Sequence, residues 1–453
     1  MPAAGHLMET TQQLAHFLVE SRPHDIPDTA RREATRSLLN WVGCAIGGAR
    51  HDAVERTLAA LAELSLTPQA AVLGRRERLD LLHATLVNGM SSHVLDFDDT
   101  HLRSLLHASA PIVPALLALS EVKPLDGERF LHAFILGVEV ESRIATAICH
   151  NHNADWYVTG TAGPFGAAAA VGKVLGLDER HMTWALGIAA TLGAGLREMG
   201  GTMAKSLVHG RAGQNGLYAA LLAAQGFTSS ERALESPRGF ARVMGGISDT
   251  RAITAGLGET YEILLNTYKP YACGVVAHPV IDGCIRLRAN PHVKPNAISR
   301  VNLKVHPQAL KLTGVTSPRS GLESKWSIFH SAAVALVRGA AGEHEYSDEC
   351  VFDPDIARLR ERTEATADDS LRKDEAHVTV TLQQGQVLTQ YVKHALGSEQ
   401  HPLGDSDLEA KFCGLVRGIL SPAQAERLRA LCWSVADLDD VAEISLQSVP
   451  PLA

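Results

Sequence analysis

Apolar side chains recur at four-residue steps through the first half of this 453-residue chain, which strongly restricts the structures it can form. This spacing places them on one side of an α-helix. One such stripe comprises Ala30, Ala34, Leu38, Val42 and Ala45, and it stops at Gly47-Gly48. Similar patterns run over Pro114 to Leu119, Phe130 to Ile148, Gly166 to Leu175 and His181 to Leu192. The many alanines and glycines allow close approach, so the sequence predicts a compact helical layer.

The pattern changes after about Tyr268. Apolar residues then alternate with polar ones at Val301 to Val305 and Val378 to Leu382, as in half-buried strands. Gln384-Gly385 is typical of a turn, and Val387 to Val392 is predicted as the returning strand. A helix is predicted over Lys325 to Gly339. We therefore expect a mainly α protein with a large all-helical domain (1–265), a smaller α+β domain (266–396) and C-terminal helices (397–453) that rejoin the helical domain.

The composition excludes several classes of protein. A net charge of -8 argues against nucleic acid or an anionic membrane as a partner. The seven cysteines are scattered without a Cys-x-x-Cys pair, which indicates a reducing compartment rather than a disulfide framework. The N-terminus lacks a hydrophobic signal core, and no apolar segment is long enough to span a membrane. The sequence thus predicts a cytoplasmic protein.

The segment Asn88 to His101 (NGMSSHVLDFDDTH) combines three carboxylates with two imidazoles, and His107 follows it. Such clustering disfavours folding, because like charges repel and buried polar groups need partners. It therefore indicates a catalytic site. A divalent metal is an alternative use of its side chains, but no defined ligand motif is present, and we predict no metal. The candidate ligands are His93, Asp96, Asp99, His101 and His107.

The glycine-rich segment Gly200 to Arg211 supplies positive charge. It contains Thr202, Lys205, His209 and Arg211, and its glycines let a ligand approach the backbone. We predict that Lys205 binds a substrate carboxylate and that the other three contact substrate. The alternative is a solvated basic loop.

Three further segments hold candidate residues, each with a structural alternative. Asp155 to Gly166 places Tyr157 before a helix start, where a capped helix entry is the alternative. His278 precedes a proline and can be a simple helix-entry residue. His330 can be a satisfied buried histidine. Gly166 to Lys173 lacks the first glycine and the Ser or Thr of a phosphate loop, so no nucleotide cofactor is predicted.

These segments, in this order, resemble the MmgE/PrpD family. The resemblance rests on NGMSSHVLDFDDTH, HASAPIVPALLALSE, GTAGPFGAAAAVGKVLGL, GTMAKSLVHGRAGQNG, YKPYACGVVAHPVIDG, GLESKWSIFHSAAVAL and LEAKFCGLV. It implies a helical domain with a smaller α+β lid, a site between them, a homodimer, and neither metal nor organic cofactor. The family's site residues fall on Asp96, Thr100, His107, Lys205 and His278. Tyr157 stands where the family often has histidine, and His330 where many members have tyrosine.

The resemblance implies a cofactor-independent lyase acting on a small di- or tricarboxylic acid. We predict dehydration of a 2-methylcitrate-like hydroxy acid. The alternatives are an aconitate-type decarboxylase, an epimerase or isomerase, and a non-catalytic carboxylate-binding protein. The predicted catalytic residues are Asp96, His107, Tyr157, Lys205 and His278, whereas Thr100, Thr202, His209, Arg211 and His330 are predicted to bind substrate. His93, Asp98, Asp99 and His101 are interpreted as supporting structure.

Overall fold

The computed structural model describes residues 8–64, 67–149 and 156–451, and over these the chain is mainly α-helical with small sheets. Its α-helices are α1 Thr10–Glu20, α2 Asp28–Gly48, α3 Asp52–Leu61, α4 Leu81–Val94, α5 Ser109–Ser120, α6 Gly127–Cys149, α7 Val158–Leu175, α8 Glu179–Leu192, α9 Ala204–Ala224, α10 Phe240–Gly245, α11 Arg251–Thr254, α12 His278–Arg288, α13 Pro307–Thr313, α14 Gly321–Ser324, α15 Ile328–Arg338, α16 Asp348–Phe352, α17 Pro354–Glu361, α18 Asp405–Val416, α19 Pro422–Trp433 and α20 Ala442–Gln447. None of the helices in the described ranges is long and apolar enough to cross a membrane.

The strands are short and few. They are β1 Ala70–Ala71, β2 Arg78–Leu79, β3 Thr100–His101, β4 Asn266–Thr267, β5 Ile298–Val305, β6 Thr363–Ala367, β7 Ala376–Leu382 and β8 Val387–Val392. The described part of residues 1–265 is helical as expected, except for the two-residue strands β1, β2 and β3. Ladders of two residues leave no alternating pattern, so the sequence does not show them.

One four-stranded sheet has the order β6-β5-β7-β8, with β5 and β6 parallel and the other pairs antiparallel. The two strands predicted from alternation are confirmed as β5 and β7, and the predicted returning strand is confirmed as β8. Gly385 lies in the turn between β7 and β8, with φ of +88°. Strand β6 was not predicted. It is a polar edge strand with only its first residue buried, so it lacks the apolar alternation of its neighbours.

Buried apolar residues form two main clusters. The larger joins α1, α2 and α5 to α9, and it includes Leu408, Phe412 and Leu428 from the C-terminal helices. The smaller lies around the four-stranded sheet with α12 and α15, and it reaches Val94 and Phe97 at the end of α4. The C-terminal helix α18 packs against α2. The boundaries at residues 265 and 396 stay a prediction.

Helices α4 and α9 cross at two glycines. A Cβ atom on Gly89 would lie 2.8 Å from the Gly210 Cα, and one on Gly210 would lie 2.1 Å from the Leu86 carbonyl oxygen. Only glycine permits this approach, since the blocking atoms belong to the backbone. The crossing brings the end of α4 against the first turns of α9.

A second contact joins distant parts of the chain at the same place. Strands β3 and β4 pair antiparallel, with Thr100 opposite Thr267, and the Thr267 hydroxyl donates to the Thr100 carbonyl at 2.8 Å. This pairing sets the acidic segment after α4 beside the residues that follow β4.

Replacing Gly210 with alanine is expected to destabilise the protein by about 1–3 kcal/mol, because the methyl group must displace backbone atoms. Urea denaturation measures the change in the free energy of unfolding. Gly414→Ala is the matched control, since Gly414 is exposed in α18 and its Cβ would meet nothing within 4 Å. That variant should be neutral or stabilised by about 0.4–1 kcal/mol. Equal stabilities of the two variants would contradict the close crossing.

Candidate active site

Asp96 follows the C-terminal end of α4 in a backbone conformation that few residues other than glycine adopt. Helix α4 ends at Val94, Leu95 caps it, and Asp96 has φ of +52°. Glycine usually occupies this left-handed position after a helix. The Asp96 N–H donates to the His93 carbonyl at 2.7 Å. Such strain persists only where surrounding contacts hold it, and it clusters at functional sites.

Two buried lysines hold the Asp96 carboxylate. Lys269 Nζ lies 2.5 Å from Asp96 Oδ1 and also donates to the Asp96 carbonyl at 3.1 Å. Lys205 Nζ, from the first turn of α9, lies 3.1 Å from the same Oδ1. All three residues are less than a tenth exposed. Since isolated charges are unstable in a protein interior, the three groups depend on one another.

This arrangement keeps Asp96 ionised. Burial by itself would raise the pKa of its carboxyl, but the Lys205 and Lys269 ammonium groups outweigh burial and hold the pKa well below its usual range. Burial also opposes the charge on Lys269, yet Asp96 raises the pKa of this closer lysine. Burial lowers the pKa of Lys205, the more distant partner. A carboxylate with so low a pKa is a weak base, so Asp96 suits the role of counter-ion.

Two more lysines fix the backbone on either side of Asp96. Lys325 Nζ donates to the Leu95 carbonyl at 2.7 Å and to the Ala272 carbonyl at 2.8 Å. Lys411 Nζ, from α18, donates to the Phe97 carbonyl at 2.6 Å. Burial lowers the pKa of each lysine to about 8. The loop after α4 is therefore held by ammonium groups from four separate segments.

A narrow cavity opens beside Asp96. Its wall includes His93, Thr202, Lys205, Lys325 and Trp326. The Lys205 ammonium lies 5.0 Å from the centre of the Trp326 ring, as in a cation–π contact. The cavity is small, with room for about one water molecule. A larger ligand requires its walls to separate.

Three imidazoles pack next to this cavity. The His93 and His209 rings stack with centroids 3.3 Å apart, and the His107 ring meets His93 edge-on at 4.5 Å. The stack follows from the helix crossing: His93 lies one turn beyond Gly89 on α4, and His209 adjoins Gly210 on α9. The positions of Gly89 on α4 and Gly210 on α9 thus determine how the two imidazole rings stack.

The hydrogen bonds determine which ring nitrogens carry protons. His107 Nδ1 lies 2.9 Å from the Asp99 carbonyl, and His209 Nδ1 lies 3.1 Å from the Lys205 carbonyl. A carbonyl only accepts, so both Nδ1 atoms are protonated. The Asp98 carboxylate lies 2.9 Å from His93 Nδ1 and 3.3 Å from His107 Nδ1. In the neutral rings, the lone pair is therefore on Nε2.

Burial keeps these rings neutral. Burial, together with nearby positive charge from Lys205, lowers the pKa of His93 well below its usual value. Burial also lowers the pKa of His209 well below its usual value and that of His107 to about 3, although Asp98 opposes the shift at His107. At neutral pH the cluster therefore offers bases rather than imidazolium ions.

The same cluster can be considered as a metal site. His93, Asp98, His107 and His209 each offer a ligand atom within 4.8 Å of the others. However, the His93 and His209 planes differ by only 17°. The lone pairs of stacked, nearly parallel rings do not converge on one point, so these two rings cannot bind a single ion as arranged. We assign no metal to the site.

Most of the predicted site residues meet here. Asp96, Lys205 and Thr202 line the cavity, although the Thr202 hydroxyl donates to the Met199 carbonyl at 2.7 Å. His107 and His209 belong to the imidazole cluster. Tyr157 packs against the same cluster, with its ring centroid 5.1 Å from that of His209, and burial raises its pKa well above the usual value. Asp155, in the same predicted segment as Tyr157, lies outside the described residues.

Four predicted residues belong neither to the cavity wall nor to the imidazole cluster. Thr100 is buried in β3, and His278 is buried at the start of α12 with its ring against Tyr271. His330 Nε2 donates to the Glu345 carbonyl at 2.9 Å, which is the contact of a satisfied buried histidine. Arg211 is exposed on α9 and donates to Gln214. The roles assigned to these four stay predictions.

The structure brings to the site three residues that the sequence did not predict there, including His93, which was interpreted as supporting structure. His93 and Lys325 line the cavity, and Lys269 binds Asp96. Lys269 lies in YKPYACG and Lys325 in ESKWSIFH. In these parts of the chain the sequence predicted site roles for His278 and His330 instead. Burial was the missing signal: a fully buried lysine is rare and needs a partner, but the sequence does not show which lysines are buried.

The depressed pKa of His107 predicts a pH effect on stability. The unfolded ring titrates near 6.5 and the folded ring near 3, so the unfolded state binds more protons between these values. Stability from this group is fully present above about pH 6.5 and is lost as the pH falls towards 3. In the parent protein, this ring lowers the free energy of unfolding by up to about 1.4 kcal/mol for each unit of pH decrease in this range. His107→Gln removes the ring and should therefore make the fall with decreasing pH smaller by that amount.

Urea denaturation at several pH values between 7 and 4 measures this slope. His24→Gln is the control, because the His24 side chain is 82% exposed, and its slope should match that of the parent protein. Parallel curves for His107→Gln and the parent would show that the buried imidazole is not kept neutral.

Comparison with known proteins identifies the family. Residues 12–252 match the MmgE/PrpD N-terminal domain and residues 271–437 match the MmgE/PrpD C-terminal domain. The chain is 25% identical to a cis-aconitate decarboxylase of Aspergillus terreus, with 96% of this chain and 94% of that protein covered. It is 24% identical to the cis-aconitate decarboxylase of Mus musculus, covering 97% and 93% respectively. The resemblance inferred from the motifs is confirmed: the chain belongs to the MmgE/PrpD family.

Proposed function

We propose that this protein is a lyase that removes one carboxylate from an unsaturated tricarboxylic acid of the cis-aconitate type. The similar proteins from Aspergillus terreus and Mus musculus, each aligned over nearly the whole chain, are named for that reaction. The observation that carries the proposal is the excess of buried ammonium groups around one carboxylate at the cavity.

Charge at the cavity favours a polyanionic substrate. Lys205, Lys269 and Lys325 bring three positive charges, and Asp96 neutralises one of them. The positive charge that Asp96 leaves unbalanced favours a ligand that carries carboxylates. Fixed ammonium groups in a site without bulk water also stabilise negative charge that develops on the substrate during reaction.

The chemistry needs a sink for electrons and a source of one proton. The C–C bond to the departing carboxylate breaks as CO2 leaves, and its electron pair forms a new double bond. The electron pair of the original double bond takes up a proton at the carbon that is farther from the breaking C–C bond. The product is an unsaturated dicarboxylate. The lysines stabilise the charge that accumulates beside the carboxylates, and a positioned acid supplies the proton.

Dehydration of a 2-methylcitrate-like acid is the second candidate. The neutral imidazoles favour it, because a base must remove a proton next to a carboxylate before hydroxide leaves. Tyr157, whose raised pKa keeps its phenol protonated, is suited to donate to the leaving oxygen. The same lysines would bind the carboxylates in either reaction.

The two reactions have different products. Purified protein incubated with cis-aconitate is expected to release CO2, and the activity should persist in EDTA because no step requires a metal. Incubation with 2-methylcitrate tests the second candidate by the appearance of alkene absorbance. Alkene formation from 2-methylcitrate without CO2 release from cis-aconitate would replace the first proposal with the second. No turnover of either acid would contradict both.

Lys205→Met is expected to lower kcat/KM by about 10²-fold or more, because it removes the ammonium that faces both Asp96 and the cavity. Lys311→Met is the control, since Lys311 is exposed on α13, and it should keep the parent activity. Tight citrate binding by a parent protein that turns over no acid would support a non-catalytic carboxylate-binding protein instead.

We also propose that the protein is a homodimer. The outer face of α9 exposes Leu207 and Tyr218, and the nearby Leu196 is exposed as well. The exposed Arg211 lies between Leu207 and Tyr218 on α9, and aromatic residues and arginine are enriched at protein interfaces. Light scattering should give twice the 48.5 kDa chain mass, and Tyr218→Lys should shift the protein to monomer. A parent protein of monomer mass would contradict the proposal.

A further inference from the structure

His93 is the imidazole that faces the cavity. It lines the same wall as Asp96 and Lys205, whereas His107 and His209 are not part of that wall. Its side chain is 1% exposed, and its Nε2 has no hydrogen-bond partner among the residues that the structure describes. A buried ring nitrogen at a cavity without a partner is free to contact a ligand there.

Asp98 fixes the ring that carries this nitrogen. Its carboxylate oxygens lie 3.0 and 2.9 Å from His93 Nδ1, and Asp98 is fully buried. This contact sets the tautomer and stabilises a positive charge on the ring when one forms. A proton-transferring imidazole oriented by a buried carboxylate is a recurrent arrangement in enzymes. His209, stacked on the other side, restricts rotation of the His93 ring.

Charged groups from several segments surround His93. Positive charge comes from Lys205 on α9, Lys269 after β4 and Lys325 before α15, and negative charge comes from Asp96 and Asp98 in the loop after α4. His107 and His209 are the other titratable rings in contact, and Tyr157 lies at 6.4 Å. Burial and the three lysines favour the neutral ring. A polycarboxylate bound beside the lysines adds negative charge and so favours the protonated ring.

We propose that His93 is the residue that transfers the proton at the substrate carbon, with Asp98 as its positioning residue. This inference rests on the proposed lyase function and names the acid that it requires. His93 takes a proton from solvent on Nε2 as the polycarboxylate binds. The proton then passes to the substrate carbon as CO2 leaves, and the ring returns to its neutral form. In dehydration, Nε2 would instead remove the proton next to the carboxylate.

His93→Gln tests the transfer. The amide is polar and similar in length, but it cannot carry the proton. We expect kcat to fall by about 10²–10⁴-fold while KM stays within about threefold of the parent value. His83→Gln is the matched control, because His83 is also on α4 with its Nδ1 2.7 Å from a carboxylate, Asp80, but it does not line the cavity. It should keep the parent kcat.

Asp98→Asn separates positioning from proton transfer. It should lower kcat and shift the pH profile of kcat to lower pH, because the imidazolium loses its counter-charge. A His93→Gln variant that keeps kcat within threefold of the parent value would overturn the proposal.

A second measurement does not depend on turnover. Citrate, added to protein labelled with ¹⁵N-histidine, should move the His93 Nε2 resonance from the lone-pair range towards the protonated range near pH 7, and His93→Gln identifies the signal. An unchanged His93 resonance at saturating citrate would overturn the proposal. So would a stoichiometric metal in the purified protein that is lost in His93→Gln. If the parent protein turns over no acid but citrate protonates His93, the proposed reaction fails and the proton-accepting role of His93 stands.

Discussion

The ion pairing of Asp96 with Lys205 and Lys269 is the interaction on which the site depends. The three residues come from the end of α4, the first turn of α9 and the segment after β4, so the pairs form only when these segments are packed together. Each charge is buried and would be unstable alone. The pairing therefore couples formation of the site to formation of the two apolar clusters that flank it.

The site carries several features that oppose folding. Asp96 adopts a left-handed backbone, three lysines are buried, and three imidazoles are held neutral. Close helix packing supports them: α4 and α9 meet through Gly89 and Gly210, and the large apolar cluster continues through α5 to α9. Strained backbone and buried polar groups that oppose folding are expected at a functional site, where a well-packed surrounding structure supports them.

The sequence predicted the parts of this protein that have a local pattern. Alternation identified β5 and β7, the turn at Gln384-Gly385 identified β8, and four-residue spacing identified α2 and its neighbours. The polar edge strand β6 and the two-residue strands left no such pattern. In the site, the cluster of acidic residues pointed to Asp96, and the glycine-rich segment pointed to Lys205. His93 was interpreted as supporting structure, yet it lines the cavity, because spacing along α4 does not show which neighbour faces each side chain.

By itself, the amino-acid sequence determined the helical and strand periods, the concentration of carboxylates and imidazoles after α4, and membership of the MmgE/PrpD family. The tertiary structure decided which charges meet. Lys269 and Lys205 lie more than one hundred residues from Asp96 in the chain, and only the β3–β4 pairing and the α4–α9 crossing bring them to it. The tertiary structure also decided the protonation states of the site carboxylate, lysines and imidazoles, because burial and neighbouring charges exist only in the folded protein.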